Sequence, residues 1–307
     1  MNFNVLQAAG PVAQSIASLS WLLFIAGGVI FAGVMLLLAW ALRRHADEAA
    51  PRVRLWILGG GVLFPGVVLA ALFAYVVPMT PVRQAAPADA LLVSVTGRMW
   101  WWDVRYTAGA GHPEIVTANE IRIPVGRPVS IALASDDVIH SFWIPALAGK
   151  VDMVPGRRHQ LLLSADRPGV YRGQCAEFCG EQHARMALHV VALPPREFED
   201  WRQSQLRPAA AAITPQQLRG REAFLANRCD ACHSVRGVAQ DSRLGPDLTH
   251  VGSRLHLGAG TLANSPGSIA QWVAHVQQLK PGARMPSYDR LDGATLSALA
   301  DWLGSLR

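Results

Sequence analysis

GQCAEFCGEQHARMA, residues 173–187, puts two cysteines, a histidine and a methionine within twelve positions. The chain of 307 residues has only four cysteines, so half of them stand in this one loop. Cys175 and Cys179 are four apart, His183 follows by four, and Met186 by three more. A disulfide between the cysteines leaves His183 and Met186 unexplained. Zinc takes thiolate and imidazole but has little use for a thioether. Copper suits thiolate, imidazole and thioether together. A blue copper site uses a single cysteine. Two thiolates in one loop let both sulfurs bridge two copper ions, and each ion then needs its own imidazole. His183 supplies one. His140 in DDVIHSFWIP is the best candidate for the other, with His112, His159 and His189 as rivals.

The sequence around this loop reads as short strands. LLVSV from Leu91, EIRIPV from Glu120 and PVSIALA from Pro128 alternate or run apolar with β-branched residues. Pro-x-Gly at 124–126 and Pro-Gly at 155–156 and 168–169 punctuate them as turns. ALHVVAL at 187–193 is a closing strand, and REFEDWRQSQ at 196–205 a short helix. The pattern predicts a Greek-key sandwich or barrel with its ligand loop just before the last strand, as in cupredoxins. Trp100, Trp101 and Trp102 cannot all point into one core, because consecutive strand residues face opposite sides.

RPAAAAITP, from Arg207, reads as a linker, and the character changes at Thr214. Thr214 caps a helix with Pro215 at its first position. SIAQWVAHVQQL and GATLSALADWLGSL also fit amphipathic helices. Within this segment Cys229-Asp-Ala-Cys232-His233 is CxxCH, the c-type haem attachment motif. Two thioethers would fix the haem and His233 would lie beneath its iron. Met285 is the segment's one methionine and the elected sixth ligand, a choice that raises the haem potential. His250, His256 and His275 are its rivals.

The N-terminal side belongs to a membrane. Residues 1–42 and 55–82 contain no charged side chain, although charged residues make up 16% of the chain. Each run exceeds the roughly 20 apolar residues that span a bilayer, and spans are expected near 21–42 and 55–77. A soluble core helix of that length would carry a polar stripe. A cleaved signal peptide would need a positive segment ahead of the first run. The loop between the spans holds four Arg against two acids, which places it in the cytoplasm. Both the N-terminus and everything after residue 82 then face the periplasm of a bacterial inner membrane, an oxidising space.

GRMWWWDVRY, DDVIHSFWIPALAGKVDMVPGR and GQCAEFCGEQHARM together resemble subunit II of the haem–copper cytochrome c oxidases, over residues 15–205. The last segment, with GPDLTHVGSR, resembles class I cytochrome c. The resemblance implies a multidomain membrane protein. Its parts are a transmembrane hairpin over 1–82, a cupredoxin-like Greek-key β-barrel over 83–206, a linker over 207–213 and a small all-α cytochrome c domain over 214–307. It implies that Cys175 and Cys179 bridge the two coppers of a CuA centre. His140 and His183 bind one copper each, and Met186 and the Glu177 carbonyl are axial. It adds magnesium on the Glu177 carboxylate, shared with subunit I. Trp100 stands at the electron-entry face, and the Pro246 carbonyl orients His233.

The function so implied is electron input to a proton-translocating terminal oxidase. An external donor, such as a cytochrome c or a cytochrome bc1 complex, feeds haem c, then CuA, then subunit I, with subunit III as a further partner. Oxygen reduction lies outside this chain, and no nucleic acid partner is expected. The alternative is a tethered CuA and haem c carrier serving a nitric oxide or nitrous oxide reductase. A copper chaperone would have to release its metal, which four strong ligands and a covalent haem oppose. One position departs from the family. The glutamate three residues before the Trp opening the second span, which the family sets near a proton-uptake channel, is Val53 here, between Arg52 and Arg54.

Overall fold

The computed structural model describes residues 7–43, 53–79, 86–107, 114–240 and 242–307. His112 and most of the charged loop between the two apolar runs lie outside them. Among the described residues, 15–79 form one compact unit, and 7–14 with 86–307 form the other.

The first unit consists of apolar helix. Pro11–Arg43 and Val53–Met79 are long and apolar enough to cross a membrane, with mean hydropathy 2.7 and 2.2 over their best windows. Their large side chains, such as Phe31, Leu36 and Phe73, are exposed, as expected of surface that lipid would cover. The second helix runs as a π-helix over Trp56–Leu63, which contains three successive glycines, before returning to α-geometry at Phe64–Val76. Val53 opens it.

In the second unit, ten strands make two five-stranded sheets. One is ordered β3 (Ile115–Ala118), β2 (Trp101–Tyr106), β1 (Leu91–Arg98), β5 (Val129–Ser135), β8 (His159–Leu163). The other is β4 (Glu120–Pro124), β10 (Ala187–Leu193), β9 (Gly169–Cys175), β6 (His140–Trp143), β7 (Val151–Met153). The β1–β5 and β4–β10 pairs are parallel and the rest antiparallel, so the fold is the expected cupredoxin-like sandwich. Period-two burial along β1 sends Val93, Val95 and Gly97 inward. Val95, Ile121, Ile131 and Phe142 are fully buried between the sheets, each worth on the order of 2 kcal/mol of apolar burial. Of the three consecutive tryptophans only Trp102 is fully buried, edge-on to Phe142 at 5.7 Å. Ala9 joins this unit, donating to Ala146 O at 2.7 Å and accepting from Asp166 N at 2.8 Å. Residues 7–14 thus pack with the sheets rather than with the apolar helices.

The predicted short helix forms as Pro195–Leu206, and three helices follow, Pro215–Ala226, Pro266–Leu279 and Gly293–Ser305. Thr214 Oγ1 accepts from Gln217 N at 3.1 Å and completes a capping box. Ser265 and Asp292 cap the other two. Phe224 and Trp302 lock the first helix to the last at 5.2 Å. Residues 207–213 do not hang free. Ala209 N donates to Arg236 O at 3.0 Å, and Arg207 O accepts from His250 Nε2 at 3.1 Å.

The strand-rich and helical parts share a seam. Ala187 N donates to Ala259 O at 3.0 Å, and Leu255 N donates to the Glu120 carboxylate at 2.8 Å. Arg122 Nη2 reaches Ser253 O at 2.9 Å. His189 and His256 stack with ring centres 4.2 Å apart and planes 10° from parallel.

Candidate functional site

The loop leaving β9 folds its soft side chains inward. Cys175, Cys179, His140 and Met186 are all buried. His140 Nδ1 stands 3.8 Å from Cys175 Sγ, and His183 Nδ1 stands 3.6 Å from Cys179 Sγ. Met186 Sδ is 3.9 Å from Cys179 Sγ, and the Glu177 carbonyl is 3.2 Å from Cys175 Sγ. The ligand atoms of His140, Cys175 and Cys179 lie within 4.8 Å of one another. The structure thus gathers all six predicted copper-side residues, one imidazole beside each sulfur. Two of the rivals are elsewhere. His159 pairs with the Asp152 carbonyl, and His189 stacks on His256.

Sulfur and imidazole chemistry is already tuned here. The hydrogen bond from Cys179 holds the Cys175 thiol well below the ordinary thiol range against the effect of burial, and the His140 ring assists. Cys179, the donor in that contact and buried itself, is pushed up. Burial disfavours a charged His140 ring, but its bonds to Cys175 and Asp137 outweigh this and raise it. A polarisable set of two thiols, two imidazoles, a thioether and a carbonyl, four of whose residues are buried, fits a soft metal.

The sequence did not single out Asp137. Its Oδ1 holds His140 Nε2 at 2.8 Å, which turns Nδ1 toward the sulfurs. The same carboxylate accepts from Met99 N at 2.7 Å. Burial would raise Asp137, but these bonds lower it. Gly97 on β1 leaves room for the ring, since a Cβ there would stand 2.8 Å from His140 Cδ2.

A second centre lies in the helical part. A cavity of about 380 Å³ is lined by Cys229, Cys232, His233 and Met285, and by Trp100 from the other side of the seam. His233 Nδ1 donates to Pro246 O at 2.7 Å, and burial lowers the ring's pKa. Gly245 is required for that posture, because a Cβ would fall 2.6 Å from His233 Cε1. His250 bonds Arg207 O instead, and among the rivals to Met285 only His256 reaches the lining. Arg254 also lines the cavity. Its Nε is buried without a partner, and desolvation lowers its pKa, so this wall calls for an anion. Paired thiols, an oriented imidazole, a thioether and an anion-seeking guanidinium around an apolar hollow fit a covalent haem with its carboxylates.

Trp100 connects the two centres. Its Nε1 donates to Cys179 O at 2.8 Å, and its indole packs against Gly180 of the loop and Gly282 of the helical part.

The family model of the cytochrome c oxidase subunit II periplasmic domain matches residues 109–193, and that of cytochrome c matches residues 217–307. The chain is 35% identical over 219 residues to cytochrome c oxidase subunit 2 of Alkalihalophilus pseudofirmus, covering 71% of this chain and 62% of that one. It is 29% identical over 229 residues to the subunit 2 of Bacillus subtilis, covering 71% and 63%. The chain therefore spans a little under two thirds of the length of these curated relatives. Among solved structures, the periplasmic domain of subunit II of cytochrome oxidase of Bradyrhizobium japonicum aligns at TM-score 0.36 and 29% identity. That alignment covers 39% of this chain and 96% of that one. The matched families imply copper in the strand-rich part and haem in the helical part.

Proposed function

We propose, from the premise that this chain joins a cytochrome c oxidase subunit II domain to a cytochrome c domain, that it is the electron-input arm of a proton-translocating terminal oxidase. Cys175, Cys179, His140, His183, Met186 and the Glu177 carbonyl would together hold the copper centre. Cys229 and Cys232 would carry haem c, with His233 and Met285 on its iron and Arg254 against its carboxylates. When bound, both groups supply one-electron chemistry that takes charge from an external donor toward a haem–copper subunit I. The donor would be a cytochrome c or a cytochrome bc1 complex, and subunit III a further partner. The chain divides after residues 82, 206 and 213. It sets the Arg-rich loop in the cytoplasm and both cofactor domains in the periplasm.

The chain's own part is to hold, orient and keep dry. Asp137 fixes which nitrogen His140 offers, and the Pro246 carbonyl does the same for His233. The two sheets hold the copper-side ligands in fixed positions, so little rearrangement accompanies a change of charge. The Glu177 carboxylate stands 3.6 Å from the half-exposed Lys150 ammonium, so the magnesium that the resemblance adds there would displace that cation. The observation that carries the reading is Trp100. One indole bonds the copper loop at Cys179 and lines the haem cavity.

Electron paramagnetic resonance of the full chain in detergent, matured with haem and copper, tests it. One electron shared over two copper nuclei has a hyperfine pattern distinct from one copper, and Cys175→Ser should abolish it. A single-copper pattern would sink the dinuclear assignment.

A further inference from the structure

The chain contains 28 basic residues, of which only Lys150 and Lys280 are lysines. Lys150 is half exposed, with its carboxylate neighbours in solvent. Lys280 is 3% exposed. It ends the helix Pro266–Leu279, where its N–H donates to Val276 O at 2.7 Å. Its Nζ donates to three backbone carbonyls: Trp100 O at 2.7 Å, Arg185 O at 2.8 Å and Gly258 O at 3.0 Å. All three ammonium protons are used, and every acceptor is neutral. Burying a cation without a carboxylate is costly, and burial pulls this one down to about 7. A guanidinium is planar and forked and could not converge on three such points as a compact ammonium does. Of the two lysines among the 28 basic residues, this is the buried one.

The acceptors belong to the copper loop and the haem wall. Trp100 bonds Cys179 O through its ring, and Arg185 lies between His183 and Met186. Gly258 lines the haem cavity. The backbone of Lys280 runs on through Gly282, against the Trp100 indole, to Met285. One ammonium therefore ties the arm bearing Met285 to Arg185 of the copper loop directly and to Cys179 through Trp100.

We propose that Lys280 is the positioning residue that sets the 280–285 arm in register with the copper loop, so that electron passage between the two centres depends on its three carbonyl bonds. This rests on reading the chain as a haem-to-copper conductor.

The test uses the full chain in detergent with both cofactors loaded, unaltered and as Lys280→Met, Lys280→Gln, Lys280→Arg and Arg122→Gln. The haem is reduced by a flash-excited photoreductant added with a sacrificial electron donor, and the rate at which copper follows is read together with both optical spectra. Lys280→Met should slow copper reduction by about tenfold or more, the scale on which ångström misplacement costs rate, with both spectra kept. Lys280→Arg should not restore it. Arg122→Gln removes a different bond across the seam and should leave the rate alone. Lys280→Gln stands in for the same comparison if the Met variant fails to assemble. An unchanged rate in the Lys280 variants overturns the proposal. Equal slowing in Arg122→Gln overturns it too, by reducing Lys280 to general adhesion. If copper does not follow haem even in the unaltered chain, the conductor reading has failed and this proposal with it.

Discussion

At the scale of single residues, the carboxylate of Asp137 decides which face of His140 meets the sulfurs. It holds Nε2 at 2.8 Å and so leaves Nδ1 for the 3.8 Å approach to Cys175. Asp137→Asn keeps the shape but can present a donor amide where the ring needs an acceptor. Copper affinity should then fall by about 10- to 100-fold, the usual cost of losing a partner behind a metal-binding histidine. Titration against a chelator reads this directly, and an unchanged affinity would remove Asp137 from the site. The ligand types themselves were legible in the sequence, because Cys175, Cys179, His183 and Met186 fall in one loop. CxxCH was legible for the same reason. Asp137 was not, although it stands three residues before His140. Its role depends on its carboxylate meeting the Nε2 side of the ring, a contact that spacing along the chain does not reveal. Arg254 was hidden likewise, since a guanidinium lining a cavity is known only once the cavity exists.

At the scale of elements, the strand pattern and the helix caps could be read ahead, because period-two burial and Thr-Pro starts are local. Sheet order and the seam could not, because pairing β1 with β5 or β4 with β10 is a matter of distant chain. The stack of His189 on His256 is the clearest case. An apolar strand offered no reason to expect a second imidazole on its face. The stack has a consequence for pH. Burial, then His256 and then Arg172, push His189 down to about 4. Burial also lowers His256, with Glu120 pulling the other way and Arg172 adding to the fall. An unfolded histidine titrates near 6.5, so between about 6.5 and 4 the unfolded chain binds more protons than the folded one. Stability is complete above that window and is lost as pH falls through it. The thermal midpoint of the full chain should drop across the window. His256→Phe keeps a flat ring and removes one of the two titrating groups, so its drop should be shallower. An identical slope would take the stack out of the acid response.

At the scale of the whole molecule, the helical part packs over the Trp100 indole. The sequence and its resemblance put Trp100 at an electron-entry face, and the structure covers that indole with Gly282 of the same chain. Access from solvent and access from the haem cavity are therefore different things here. The helical part exposes Cys232 and Leu244, the latter 67% exposed. The Trp100 ring takes its contacts from the protein itself. Trp100→Leu should consequently leave the first event untouched, with donor oxidation and haem reduction proceeding at the unaltered rate in rapid mixing. The second event should slow. Copper reduction should lag the haem by about tenfold or more, because the indole that bonds Cys179 O and lines the cavity is gone. Were Trp100 instead a landing face for the external donor, the order would reverse. Donor oxidation itself would slow, and copper would follow haem at the old rate.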